Sequence, residues 1–335
     1  MPLPLLIAIP ALVGMAGYGV KKSADAVRDN KKANVTRKQT AQIYANANKN
    51  LKQARESTTA SLVCLGKLKL ALWEDEFGCF VTAFEKLKNV QLTNSSHVDR
   101  LGAVSFTKND LAEMKKISNH AKEVATGGAA AVSTGALVGM ASYGGATMFA
   151  AASTGTAIGS LSGAAAANAT LAWFGGGSLA TGGLGMAGGT AVLGGIVAAP
   201  VLAVGGAIFA AKARQNLAEA KADKAKAKKA AAQLRSATAL VNGIKKVSEQ
   251  YIDLLEELRP KFNSAILKLE RVIEDQGSNY EEYDTASRQA VYFAVQFTTC
   301  MKAIIEAPIL NKSGALHKQH QLGLTTGRQF IEQSI

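Results

Sequence analysis

Residues 234–272 read LRSATALVNGIKKVSEQYIDLLEELRPKFNSAILKLERV, and their apolar positions decide the fold. Leu234, Ala237, Val241, Ile244, Tyr251, Leu255, Leu258, Phe262, Ala265, Leu269 and Val272 follow one another in alternating steps of three and four, with Ser248 filling one position of the same series. Such a series keeps one face of a helix turned toward a partner, the heptad geometry of packed helices. Pro260 lies inside it, and the register continues past it, so a bend without an end is expected.

Toward the C-terminus, Gly277 reads as a stop, and Ser278 with Glu281 matches a capping box that opens a last helix to about residue 307. Beyond Pro308 the periodicity fades, and 308–335 reads as a loosely ordered tail.

Toward the N-terminus the character changes twice. Residues 212–229 hold seven basic and two acidic side chains. Before them, 124–211 contains no Asp, Glu, Lys, Arg or His over 88 residues and holds 21 of the 32 glycines. A membrane-crossing helix needs about 20 mainly apolar residues, so this run is long enough for a helical hairpin. In steps of four, Ala151, Gly155, Gly159, Gly163 and Ala167 align, and so do Ala191, Gly195, Ala199, Ala203 and Ala207. Each set makes a small-residue stripe on a helix, which lets two backbones approach closely where the hydrophobic effect no longer drives association.

The arms are placed at about 146–173 and 187–211. Their tip reads WFGGGSLATGGLG, beginning at Trp173, Phe174, Gly175, Gly176 and Gly177, with the two aromatic rings suited to a lipid interface. The second arm is richer in large apolar residues, and Val192, Leu193, Ile196, Val197, Val201, Val204 and Ile208 are read as lipid-facing. Pro200 predicts a kink there.

The remaining N-terminal third divides into an apolar segment, 1–20, and a basic, amphipathic helical region, 21–123. The first carries no charge and is a weak signal peptide, read as an uncleaved anchor or a cover for the hairpin. Within the second, 34–90 and 110–125 read as helices around a polar loop at 93–105. The helical body resumes at 212–307.

Net charge is +13, and its placement points to a partner. Ten basic and two acidic residues lie between 21 and 55, so each apolar segment is followed at once by a basic one. Lys21, Lys22, Arg28, Lys31, Lys32, Lys212, Arg214, Lys221, Lys224, Lys226, Lys228 and Lys229 are read as a belt for anionic lipid. Nucleic acid is disfavoured, because Tyr44 is the single aromatic among those residues and no stacking platform accompanies the charge.

Catalytic signatures are lacking. GLGMAG at 183–188 fits a dinucleotide fingerprint by spacing alone, with no strand before it and no acidic residue about 20 positions on. His317 and His320 have no neighbouring Cys or acidic ligand, so neither metal nor cofactor is expected. Glu74, Asp75 and Glu76 read as a solvated acidic face, and Cys64, Cys79 and Cys300 as reduced, buried thiols of an intracellular protein.

The segment NATLAWFGGGSLATGGLGMAGGTAVLGGIVAAPVLAVGG, with STGTAIGSLSGAAA before it and LIAIPALVGMAGYGVKKS near the start, resembles a widespread, uncharacterised family of bacterial glycine-zipper proteins over residues 1–275. In architecture, long helices around a Gly-rich hairpin are similar to apolipoprotein-L-like proteins and α-helical pore-forming toxins, which implies membrane insertion. The expectation is an all-α protein of long antiparallel helices, coiled-coil-like, holding a central Gly/Ala-rich hydrophobic hairpin. It acts without catalysis as a homo-oligomer that forms pores or disrupts a bilayer, and its place is the cytoplasm, the inner membrane of a bacterium or both, with secretion as an open alternative. The alternative is a membrane-anchored adaptor recruiting a protein partner through its coiled helices.

Overall fold

The computed structural model describes residues 9–92, 106–126, 134–143, 217–311 and 315–333. They form seven α-helices: α1 Ile9–Glu74, α2 Glu76–Phe84, α3 Lys108–Thr126, α4 Thr134–Tyr143, α5 Leu217–Gln276, α6 Thr285–Glu306 and α7 Leu322–Gln333. No strand occurs among the described residues. The fold is all-α and is dominated by the two long helices α1 and α5.

Each boundary has a local cause. Pro10 stands in the first turn of α1, where its missing N–H leaves no bond unmade, and no further proline interrupts the helix. At Asp75 the backbone departs from regular helix, and α2 follows. The chain then leaves helical geometry near Asn89, whose φ of 58° lies in the left-handed region that Asn tolerates. The expected helix over 34–90 therefore ends earlier, at Phe84.

At the start of α3, Thr107 and Asp110 cap each other: the Thr107 N–H and hydroxyl donate to Asp110 Oδ2 at 2.8 and 2.7 Å, and the Asp110 N–H returns to Thr107 Oγ1 at 3.2 Å. Helix α5 runs through Pro260 and stops before Gly277, which takes φ 79°. Both features follow the sequence pattern.

The start of α6 corrects the sequence reading. Its cap is Asp284, which accepts from the Ser287 N–H at 2.7 Å, and not Ser278. Ser278 and Asn279 are occupied elsewhere: the Lys88 N–H donates to the Ser278 carbonyl at 2.8 Å and the Tyr280 N–H to the Lys88 carbonyl at 3.1 Å. A single 3-10 turn, Tyr280–Glu282, then carries the chain to Asp284.

The chain forms two compact units, Met1–Ala54 with Ala199–Ala239, and Arg55–Ala198 with Leu240–Ile335. Helices α1 and α5 supply residues to both. In the first unit Ala33, Thr40, Ala47, Leu51 and Ala54 of α1 are buried, as are Ala220, Ala227, Ala231, Leu234 and Ala237 of α5. This seam is built largely from alanine.

The second unit has a conventional core. Trp73 stacks on Phe77 at 4.1 Å, and Phe77, Phe262, Phe297 and Phe330 continue in ring contacts of 5.4, 5.4 and 4.8 Å. Every heptad position of α5 from Val241 to Leu269 in the series above is buried, and Val272 packs against the cluster.

Helix direction within this unit is read from paired residues. Thr58 Oγ1 donates to the Val241 carbonyl at 3.1 Å, Ser61 Oγ meets Ser248 Oγ at 2.5 Å, and Arg259 bonds both Asp75 and Glu76. Partner numbers rise together, so α1 runs parallel to α5. In the first unit Lys224 reaches Gln39, at a comparable sequence offset. The antiparallel expectation holds instead for α5 with α6, where Phe262 meets Phe297 and Gln276 meets Ser287.

The tail also differs from the expectation of loose order. Helix α7 buries Leu324 and Phe330, and Phe330 contacts Phe293 and Phe297 of α6.

Candidate functional site

In the first unit the alanine seam governs what surrounds it. Small side chains at helix contacts let axes lie close, so the long basic stems flanking the seam converge. Arg28, Lys31, Lys32 and Lys221 line one groove of about 510 Å³ together with Val35, Thr36 and Gln39. Positions 28, 32, 35 and 39 share one face of α1. Lys224 Nζ donates to Gln39 Oε1 at 2.7 Å beside it. Val35 is 50% exposed, an apolar side chain set among four cations. Clustered like charges raise the local concentration of anions, so the groove is suited to an anionic, partly apolar surface.

The rest of the predicted belt is distributed. Lys226, Lys228 and Lys229 are exposed on α5, and Lys21 and Lys22 belong to α1. Lys212 and Arg214 lie outside the described residues. So do both stripes (Ala151, Gly155, Gly159, Gly163, Ala167; Ala191, Gly195, Ala199, Ala203, Ala207), the tip from Trp173 to Gly177, and the lipid-facing set from Val192 to Ile208.

The second unit contains what sequence reasoning missed. Lys69 is fully buried on α1, and its Nζ donates to the Ala141 carbonyl of α4 at 3.2 Å. The same nitrogen stands 5.7 Å from the centre of the Tyr251 ring. Burial pushes the amine down to about 7, against the opposing pull of the Glu306 carboxylate. Glu306 is itself shifted upward by burial. Burial likewise raises the Tyr251 hydroxyl to about 12, and that hydroxyl donates to the His320 carbonyl at 2.8 Å.

The acidic triplet is not the solvated face expected of it. Glu76 is buried, Arg259 Nε donates to its Oε1 at 2.5 Å, and Arg259 Nη2 donates to Asp75 Oδ2 at 3.0 Å. Cysteine burial holds only for Cys300, whose thiol is pushed up to about 12, because Cys64 and Cys79 are exposed.

Among the described residues no group of His, Cys, Asp and Glu could hold a metal ion. Among the same residues no helix is long and apolar enough to cross a membrane. No family model, no curated protein and no solved structure matches the chain.

Proposed function

We propose that this chain is a non-enzymatic, membrane-active helical protein of the glycine-zipper kind, in which basic side chains dock on anionic lipid and the Gly/Ala run 124–211 enters the bilayer as a hairpin. The observation that carries the reading is the groove of Arg28, Lys31, Lys32 and Lys221 around Val35. It lies on the helix that begins in the uncharged stretch Ile9–Val20, so an apolar and then a basic sequence follow one another along a single element. Cations beside an apolar side chain match a headgroup layer, where charge and hydrocarbon meet within a few ångströms.

Once inserted, the stripes at Ala151–Ala167 and Ala191–Ala207 pack copies together, and the oligomer permeabilises a bacterial membrane. No catalytic step, cofactor or nucleic acid enters this scheme.

The test replaces Lys224, Lys226, Lys228 and Lys229 with Gln and measures sedimentation with vesicles. Exposed charges act over about 8–10 Å at physiological salt, so binding to anionic vesicles is expected to fall several-fold and to weaken further with added salt, while neutral vesicles respond little. Equal loss on both lipids would overturn the belt and favour the adaptor reading, with the helices recruiting a protein.

A further inference from the structure

The strongest unexplained feature of the second unit is the way α4 is held. Helix α4 is short, and its last carbonyls have no partner within the helix. Three donors from distant parts of the chain meet them. Lys69 Nζ donates to the Ala141 carbonyl, and the N–H groups of Ile309 and Leu310 donate to the Ser142 carbonyl at 2.8 and 2.9 Å. Gly66 brings α1 against α4 so closely that a Cβ there would collide with the Leu137 carbonyl.

The strap that supplies Ile309 and Leu310 is tied down in turn. His317 N–H donates to the Ile309 carbonyl at 2.8 Å, Tyr251 holds the His320 carbonyl, and Gly323 and Gly327 press on Tyr251, Leu254 and Ile304.

We infer that Lys69 and the Ile309–Leu310 strap form a clasp on the C-terminal turn of α4, and that a proton on the Lys69 amine weakens its grip. Among the described residues the charged and titratable groups facing that amine are few. Helix α5 presents Tyr251, and α6 presents Glu306, which also feels Lys302 at 3.9 Å and Glu113. The strap presents the backbone carbonyl of His320 to Tyr251, while the His320 ring turns back to the His317 carbonyl. None of these gives the ammonium a full ion pair in place of water, so burial prevails.

The sign follows from linkage. The amine titrates near 7 when α4 is clasped and at the ordinary 10.5 when it is free, so the open state binds the proton more tightly. The grip is weakest below pH 7, where both states are protonated. It tightens by at most about tenfold per pH unit from 7 to 10.5 and changes little outside that window.

The clasp stands apart from the proposed function: it is measured on the free, full-length protein without lipid, and dye release or vesicle binding can fail without touching it. Hydrogen exchange of residues 134–143 at pH 7 and pH 9, corrected for intrinsic exchange rates, is expected to give protection on the order of tenfold or more higher at pH 9, with α6 as internal reference. In Lys69→Met the pH dependence is expected to vanish. Equal protection at both pH values in the wild type, or the same dependence in Lys69→Met, would overturn the inference. Should Lys69→Met fail to fold, lysine ¹³Cε titration of the wild type decides. One signal titrating near 7 supports the clasp, and all signals titrating near 10.5 contradict it.

Discussion

Arg259 and Glu76 show at the residue scale what the sequence hides. Adjacent residues of a continuous helix point in different directions, which is why 74–76 reads as a solvated acidic stretch. The break at Asp75 removes that constraint, and both Asp75 and Glu76 reach one guanidinium. Glu76 is only 7% exposed, so removing its partner leaves a carboxylate in a poorly solvated site. Arg259→Met is expected to cost about 2 kcal/mol in urea unfolding, and adding Glu76→Gln to recover part of it. An unchanged midpoint in the single variant would mean that the pair is idle. Lys69 was more accessible to reasoning: Leu62, Leu65, Lys69 and Leu72 follow the steps of three and four, so a cation occupies a core position of α1. The spacing shows that it is buried but not what it meets, since α4 and the strap join it only through tertiary contact.

At the scale of elements, α5 was legible almost throughout, because burial of one face imposes its period on the sequence, down to Ser248 at a buried position of the series, although its partner Ser61 was not. Helix α7 was not legible. Its Gly323 and Gly327 lower helix propensity, and they are there because Tyr251, Leu254 and Ile304 leave no room for a Cβ. The cap of α6 failed for a similar reason: two acceptable caps lie six residues apart, and pairing of Ser278 and Asn279 with Lys88 selects Asp284. The aromatic row joins these elements. Phe297 of α6 is 1% exposed and touches Phe262 of α5, Phe293 of its own helix and Phe330 of α7. Phe297→Ala is expected to cost about 3–5 kcal/mol and to release α7. Thermal unfolding together with proteolysis after residue 310 checks it, and a loss below about 1 kcal/mol would show that the row does not bind α7 to the core.

At the scale of the molecule, a heptad series specifies which face of a helix is covered but not the direction of its partner. That is why the sequence reads as long antiparallel helices in general, while Thr58 and Ser61 of α1 and Glu76 of α2 meet Val241, Ser248 and Arg259 of α5 in parallel order. The basic groove was visible in the sequence as two charge clusters, and the alanine seam that joins Lys221 to Arg28, Lys31 and Lys32 was not. The proposed membrane activity depends on residues 144–216, which lie outside the described residues. Its most direct test is dye release from anionic vesicles by wild-type protein and by Val197→Asp. A carboxylate in hydrocarbon costs about 3 kcal/mol on insertion scales. The account predicts release by the wild type and none by Val197→Asp, with helicity and melting temperature unchanged between them. Wild-type protein that releases no dye from vesicles of any composition, alongside a Val197→Asp variant that simply unfolds, would contradict it.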